Sequence, residues 1–244
     1  GLGSSAATSV GVVFAINQIL DEQLTRKEMF QYAIEGEKIS VSTPHADNVA
    51  PCLFGGLTLI RNTESLDVVN IPISEFSIVL IHPHIKINTE DARKMLPEKI
   101  NLNSAIEQWG NLGALVFGFS SDNHQLIKRS MNDIIIEPLR SSLIPGFDRI
   151  KDNALKLGAL GCGISGSGPT IFALCDSSSF CFSATSFSFS RIEYANSRFT
   201  VSIVAYSVVT HFLVVSIAGF LLAAFLAGFL SVAFLDFLDV IHNQ

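Results

Sequence analysis

The chain has 244 residues, enough to bury a sizeable core as one large domain or two small ones, which excludes a disulfide-stapled miniature. Its 22 acidic and 16 basic residues leave a net charge of −6 and no basic footprint for nucleic acid. The four cysteines, Cys52, Cys162, Cys175 and Cys181, show no C-x-x-C or Cys/His ligand spacing, so free thiols in a reducing cytoplasm are expected.

In chain order, Ser4 and Ser5 precede an apolar-periodic run through Val10, Val13, Phe14 and Leu20, which predicts a helix with a serine cap. Thr25 and Glu28 form a T-x-x-E capping box that opens a second helix through Met29, Ala33 and Glu37 towards Ser40. The segment STPHADNVAP is expected to be a loop. Residues Leu53–Arg61, Leu66–Ile73 and Phe76–His82 read as strands of an antiparallel meander. Thr89 opens a helix stopped by Pro97; further helices are predicted at Asn103–Phe119, His124–Ile136 and Asp148–Leu157, the last closed by Gly158. The run ALGCGISGSGPTIFALC reads as strand, glycine loop, strand. Without regular βαβ alternation, this mixture predicts an α+β fold.

Composition changes near Asp176. From Ser177 onward there are five charged residues, no proline and 11 of the 19 phenylalanines, whereas the preceding residues have ordinary globular composition. Phe199 to Leu235 exceeds the ~20 residues that span a bilayer and contains no Asp, Glu, Lys or Arg, with His211 as its one potentially charged side chain. It reads as one or two membrane helices, or as an out-of-frame segment, the reading favoured by the Ser/Phe-rich stretch that begins it. Gly1 to Ala7 lack the basic and apolar regions of a signal peptide.

Four motifs carry candidate chemistry. In GLGSSAA, glycines permit close backbone approach and the helix start offers free N–H groups and a positive dipole end, which suits phosphate. No lysine stands there, which excludes a Walker A loop. Asp21 ends the same helix and not a second strand, which excludes a dinucleotide fingerprint. HADNVAP groups an imidazole, a carboxylate and an amide able to hold a polar substrate; His45 and Asp47 alone are too few for a metal site. Arg93 and Arg140 offer planar guanidinium groups for a carboxylate or phosphate. GCGISGSGPT has four glycines between apolar strands, so its loop passes close to something or makes a tight turn. Taken singly, each motif also has a bland explanation as a cap, an Asx turn, a surface ion pair or a hairpin.

In order and spacing, these motifs resemble the GHMP kinases. GLGSSAA is similar to the core of their phosphate-binding motif and GCGISGSGPT to their C-terminal glycine motif. HADNVAP with LFGG, TEDAR and EPLRSSLIPGF look like the homoserine kinase branch; mevalonate-type members carry instead an Asp after an S-G-x-D turn. The resemblance covers Gly1 to about Cys175. It implies a ribosomal-protein-S5-like N-terminal part (residues 1–60), a ferredoxin-like C-terminal part (61–176) and a non-family tail (177–244).

By that resemblance Gly1, Leu2, Gly3, Ser4, Ser5 and Ala6 wrap the phosphates of ATP, while Ser4 or Ser5 and Glu37 meet Mg²⁺. Asp47 and Asn48 lie near the hydroxyl of L-homoserine with His45 beside them; Arg93 and Arg140 take its carboxylate, and Thr89 lies one turn before Arg93. The loop of Gly163, Ser165, Gly166, Ser167 and Gly168 closes the pocket. The implied reaction forms O-phospho-L-homoserine and ADP in threonine biosynthesis, in the cytoplasm, with a homodimer left open. Alternatives are another GHMP small-molecule kinase or a non-catalytic remnant with a membrane-associated tail. Because the family's leading proline and strands, and its closing elements, have no counterpart here, the chain as written is expected to be catalytically incompetent.

Overall fold

The structure, a computed structural model, describes residues 2–40, 45–176, 201–208 and 215–216. It divides into two compact units, one of residues 2–70 with a short strand at 215–216, the other of residues 71–176 with a strand at 201–208. The division at 70/71 compares with the boundary expected at 60/61.

In the N-terminal unit, α1 (Ser4–Ile19) and α2 (Arg26–Ser40) pack against α3 (Ala46–Phe54). The expected serine cap is replaced by Gly3, whose left-handed φ of 64° turns the chain into α1; no side chain caps that end. Asn17, in the last turn of α1, is buried, and its Oδ1 accepts from Leu24 N–H of the α1–α2 connection at 2.8 Å. The predicted capping box forms: Thr25 N–H donates to Glu28 Oε2 at 2.8 Å and Glu28 N–H to Thr25 Oγ1 at 3.3 Å. Met29, Phe30, Ala33 and Ile34 make the buried stripe of α2, and Phe30 meets Phe54 edge-on at 5.6 Å.

HADNVAP is a helix, not a loop. Its Val49, Ala50 and Leu53 repeat at helical spacing and enter the core, and this packing overrides Pro51, which cannot donate to the carbonyl four residues back. The helix takes up Leu53 and Phe54, so β1 (Leu57–Asn62) starts later than predicted; it lies between β2 (Asp67–Ile71) and the short strand Val215–Ser216, to which it runs parallel.

β3 (Phe76–Pro83) does not continue a meander. In the C-terminal unit it is a central strand, antiparallel to β5 (Ile171–Asp176) on one side and to β6 (Val201–Val208) on the other, with β4 (Gly161–Ile164) outside β5. Phe76 to Leu80 are buried without alternation, and a strand apolar on both faces needs cover on both. The tail expected to form helices from Phe199 is thus strand at Val201–Val208 and Val215–Ser216; the rest of that span lies outside the described residues. Among the described residues no helix is long and apolar enough to cross a membrane.

The remaining helices are α4 (Thr89–Lys94), α5 (Leu102–Ser120), α6 (His124–Ser130), α7 (Glu137–Arg140) and α8 (Phe147–Lys156). The helix predicted to reach Ile136 stops at Ser130. Asp133 intervenes: its carboxylate accepts from the N–H groups of Ile135, Ile136 and Glu137 at 2.8–3.2 Å, and this turn restarts the chain as α7.

Candidate active site

In the N-terminal unit, the helical period of α2 carries its buried stripe on to Glu37, whose carboxylate is 0 % exposed. Gly36 lets α2 close on α1, since a Cβ there would lie 3.2 Å from Ser9 Oγ. One turn earlier on α1, Ser5 Oγ donates to Glu37 Oε1 at 2.9 Å. His45 Nδ1 lies 3.1 Å from the same oxygen. Burying a carboxylate is costly unless hydrogen bonds replace water, and at Oε1 a hydroxyl and an imidazole do so.

Leu2 and Gly3 lead into α1, and Ser4, Ser5 and Ala6 form its first turn, whose N–H groups have no partner within the helix; Gly1 lies outside the described residues. His45 precedes α3, and its carbonyl accepts from Asn48 and Val49 N–H at 2.9 and 3.1 Å. Asp47, half-buried, lies in the first turn of α3, where the helix dipole favours a negative charge. Asn48 Oδ1 is buried without a hydrogen-bond partner among the described residues.

In the C-terminal unit, Arg140 ends α7 and is only 4 % exposed, with Nη1 donating to Gly166 O at 3.0 Å. The glycine motif is a turn between β4 and β5: Ser165 N–H donates to Thr170 O at 2.8 Å and Gly168 N–H to Ser165 O at 3.0 Å. Gly166 and Gly168 take φ of 58° and 82°, where a side chain would be strained. Ser165 and Ser167 complete the turn. Gly163 belongs to β4 and not to the loop, and a Cβ there would lie 3.1 Å from the Phe172 ring and 3.2 Å from Glu137 Oε2. Arg140, Gly166, Glu137, Gly163 and Phe172 help line a cavity of about 30 Å³, room for a water molecule. Thr89 and Arg93 lie one turn apart on α4; the Thr89 side chain lies outside the described residues and Arg93 is half-buried.

Sequence reasoning missed the supports of this half. Lys151 of α8 pairs with Glu137, and burial holds the Glu137 carboxyl above its ordinary value although Lys151 pulls it down. His82 Nδ1 lies 2.9 Å from Thr170 Oγ1, and burial, then the neighbouring His84, holds its imidazole below the usual range. No local pattern marks either pair, because the partners are 14 and 88 residues apart.

Residues 1–56 match the GHMP kinases N terminal domain, and residues 109–179 the GHMP kinases C terminal domain. A crystal structure of homoserine kinase from Cytophaga hutchinsonii superposes with a TM-score of 0.76 at 43 % identity, over 87 % of this chain and 67 % of that one. The chain belongs to the GHMP kinase family. Homoserine kinases of Chlorobium phaeovibrioides and Chlorobaculum tepidum are 46 % and 43 % identical to it over 178 residues, 72 % of this chain. It spans 56 % and 55 % of those relatives' lengths. The fold alone also matches the Methanococcus jannaschii mevalonate kinase, with a TM-score of 0.60 at 14 % identity.

Among the described residues no group of three or more His, Cys, Asp or Glu is arranged to hold a metal ion. Glu37 and Ser5 nevertheless supply a carboxylate and a hydroxyl, hard oxygen donors of the kind Mg²⁺ takes when phosphate oxygens complete its shell.

Proposed function

We propose that the protein is an ATP-dependent homoserine kinase of the cytoplasm. The hydroxyl oxygen of L-homoserine bonds to the γ-phosphorus of ATP as the bond to the β–γ bridging oxygen breaks, giving O-phospho-L-homoserine and ADP. The observation that carries this reading is the wholly buried Glu37 carboxylate, held by Ser5 beside the glycine-led start of α1. The likeness to homoserine kinases at 43–46 % identity supports the choice of acceptor.

In this reading the N–H groups from Gly3 to Ala6 receive the phosphates, as helix N-termini do. Glu37, with Ser5 and not Ser4 at its side, would hold Mg²⁺, which when bound neutralises charge on the phosphates. Asp47 accepts the hydrogen bond of the substrate hydroxyl and takes up its proton, with Asn48 beside it. Arg140 and Arg93 receive the substrate carboxylate, and the Gly166 carbonyl sets the direction of the Arg140 guanidinium. Phosphoryl transfer asks chiefly for such positioning and charge neutralisation.

The test is a family-length chain in which residues 1–176 replace the matching segment of the Chlorobium phaeovibrioides enzyme. It should release ADP with L-homoserine in preference to mevalonate or galactose; equal turnover of either competitor sinks the assignment. Arg140→Ala should raise the KM for homoserine by an amount worth about 2–5 kcal/mol while sparing that for ATP. A rise confined to ATP would assign Arg140 to phosphate.

A further inference from the structure

Two donors converge on one oxygen of Glu37. Ser5 Oγ reaches Oε1 at 2.9 Å and His45 Nδ1 reaches it at 3.1 Å. A carboxylate oxygen only accepts, so the imidazole nitrogen facing it carries the proton. In a neutral ring this leaves Nε2 as the unprotonated acceptor, the reverse of the tautomer that a free histidine side chain prefers in water. Glu37 is 0 % exposed and the His45 side chain 18 %, so water competes little for the contact. The two partners come from different helical segments, α2 and the start of α3, and their bond crosses residues 41–44. It therefore ties the carboxylate to the helix that bears Asp47 and Asn48.

We infer that His45 is a positioning residue for Glu37, acting through its Nδ1–H. The inference deepens the kinase reading above and rests on it for its consequence in nucleotide binding, but the hydrogen bond is testable alone. An imidazole that orients a metal-bound carboxylate acts as an outer-shell partner does, and loss of such a partner weakens metal affinity by about 10- to 100-fold.

The spectra use the 244-residue chain, and nucleotide binding uses the family-length chain of the kinase test. Long-range ¹H–¹⁵N spectra of histidine-labelled protein, assigned by the signal lost in His45→Gln, should show His45 protonated at Nδ1. Mn²⁺·ATP binding is then titrated by electron paramagnetic resonance for three variants, with the melting of each followed in parallel. The amide nitrogen of Asn superposes on Nδ1 and that of Gln on Nε2. His45→Asn should therefore retain most of the affinity, while His45→Gln and His45→Ala lose about tenfold or more. An Nε2-protonated tautomer, equal affinity in all variants, or tighter binding by His45→Gln than by His45→Asn overturns the inference. If the unsubstituted family-length chain fails to bind Mn²⁺·ATP, the kinase reading falls, and the tautomer still decides what His45 does.

Discussion

The N-terminal unit buries a carboxylate by packing helix on helix, whereas the C-terminal unit buries a guanidinium by folding a strand–turn–strand over it. Glu37 reaches its place because the 3.6-residue period of α2 continues past Phe30, Ala33 and Ile34, and because Gly36 admits Ser9 closely. Arg140 reaches its place because Asp133 starts a new helical turn and because Gly166, in left-handed backbone, turns its carbonyl to Nη1. The first arrangement depends on side chains meeting a side chain, and the second on a side chain meeting main chain. The two units should therefore respond differently to substitution.

The largest effect should come from the carboxylate itself. Glu37→Gln keeps the shape but removes the charge, and kcat/KM in the family-length chain should fall by at least ~100-fold. Loss of less than a few-fold would mean that Glu37 is buried for structure alone.

Next come the close approaches. In the C-terminal unit, Gly161→Ala places a Cβ 2.9 Å from Met131 Cβ, with the rest of that side chain nearer still, and should cost about 1–3 kcal/mol in urea unfolding. In the N-terminal unit, Gly36→Ala meets only Ser9, at 3.2 and 3.3 Å, and gains helix propensity of up to about 1 kcal/mol. Its stability should change little, while turnover drops because α2 shifts and takes Glu37 off Ser5. Equal destabilisation at both sites would erase the contrast between the units.

The smallest effect concerns pH. Burial raises the Glu137 carboxyl above the ordinary value of 4.5, against the pull of Lys151. The folded state then binds the proton more tightly than the unfolded chain, so the stability linked to Glu137 is full below the unfolded pKa and is lost as pH rises through the folded one. Glu137→Gln should accordingly gain on the unsubstituted protein as pH is raised from about 4 towards neutrality, read as the difference between their melting temperatures. If the unsubstituted protein instead gains on Glu137→Gln over that range, Lys151 outweighs burial.

Much of the fold was legible along the chain. The capping box at Thr25 and Glu28, the helix of 102–120 and the strand–turn–strand around Gly166 all rest on contacts a few residues apart. HADNVAP was misread because proline and Asx signals are local, whereas the burial of Val49, Ala50 and Leu53 that makes it a helix is tertiary. Val201–Val208 was misread because an apolar run does not by itself say whether it will be strand or helix.

By itself the sequence determined the family, the order of the motifs and which residue types stand ready for phosphate, hydroxyl and carboxylate. Only the tertiary structure decided that Ser5 and His45 share one oxygen of Glu37, that Arg140 rests on Gly166, and that β3 lies between strands far from it in sequence. Local periodicity and capping act over three or four residues, so a sequence displays them. The Ser5–Glu37 bond joins groups 32 residues apart and the Arg140–Gly166 bond groups 26 apart. Such pairs are set by which faces bury together, and that choice is made only when the whole unit packs.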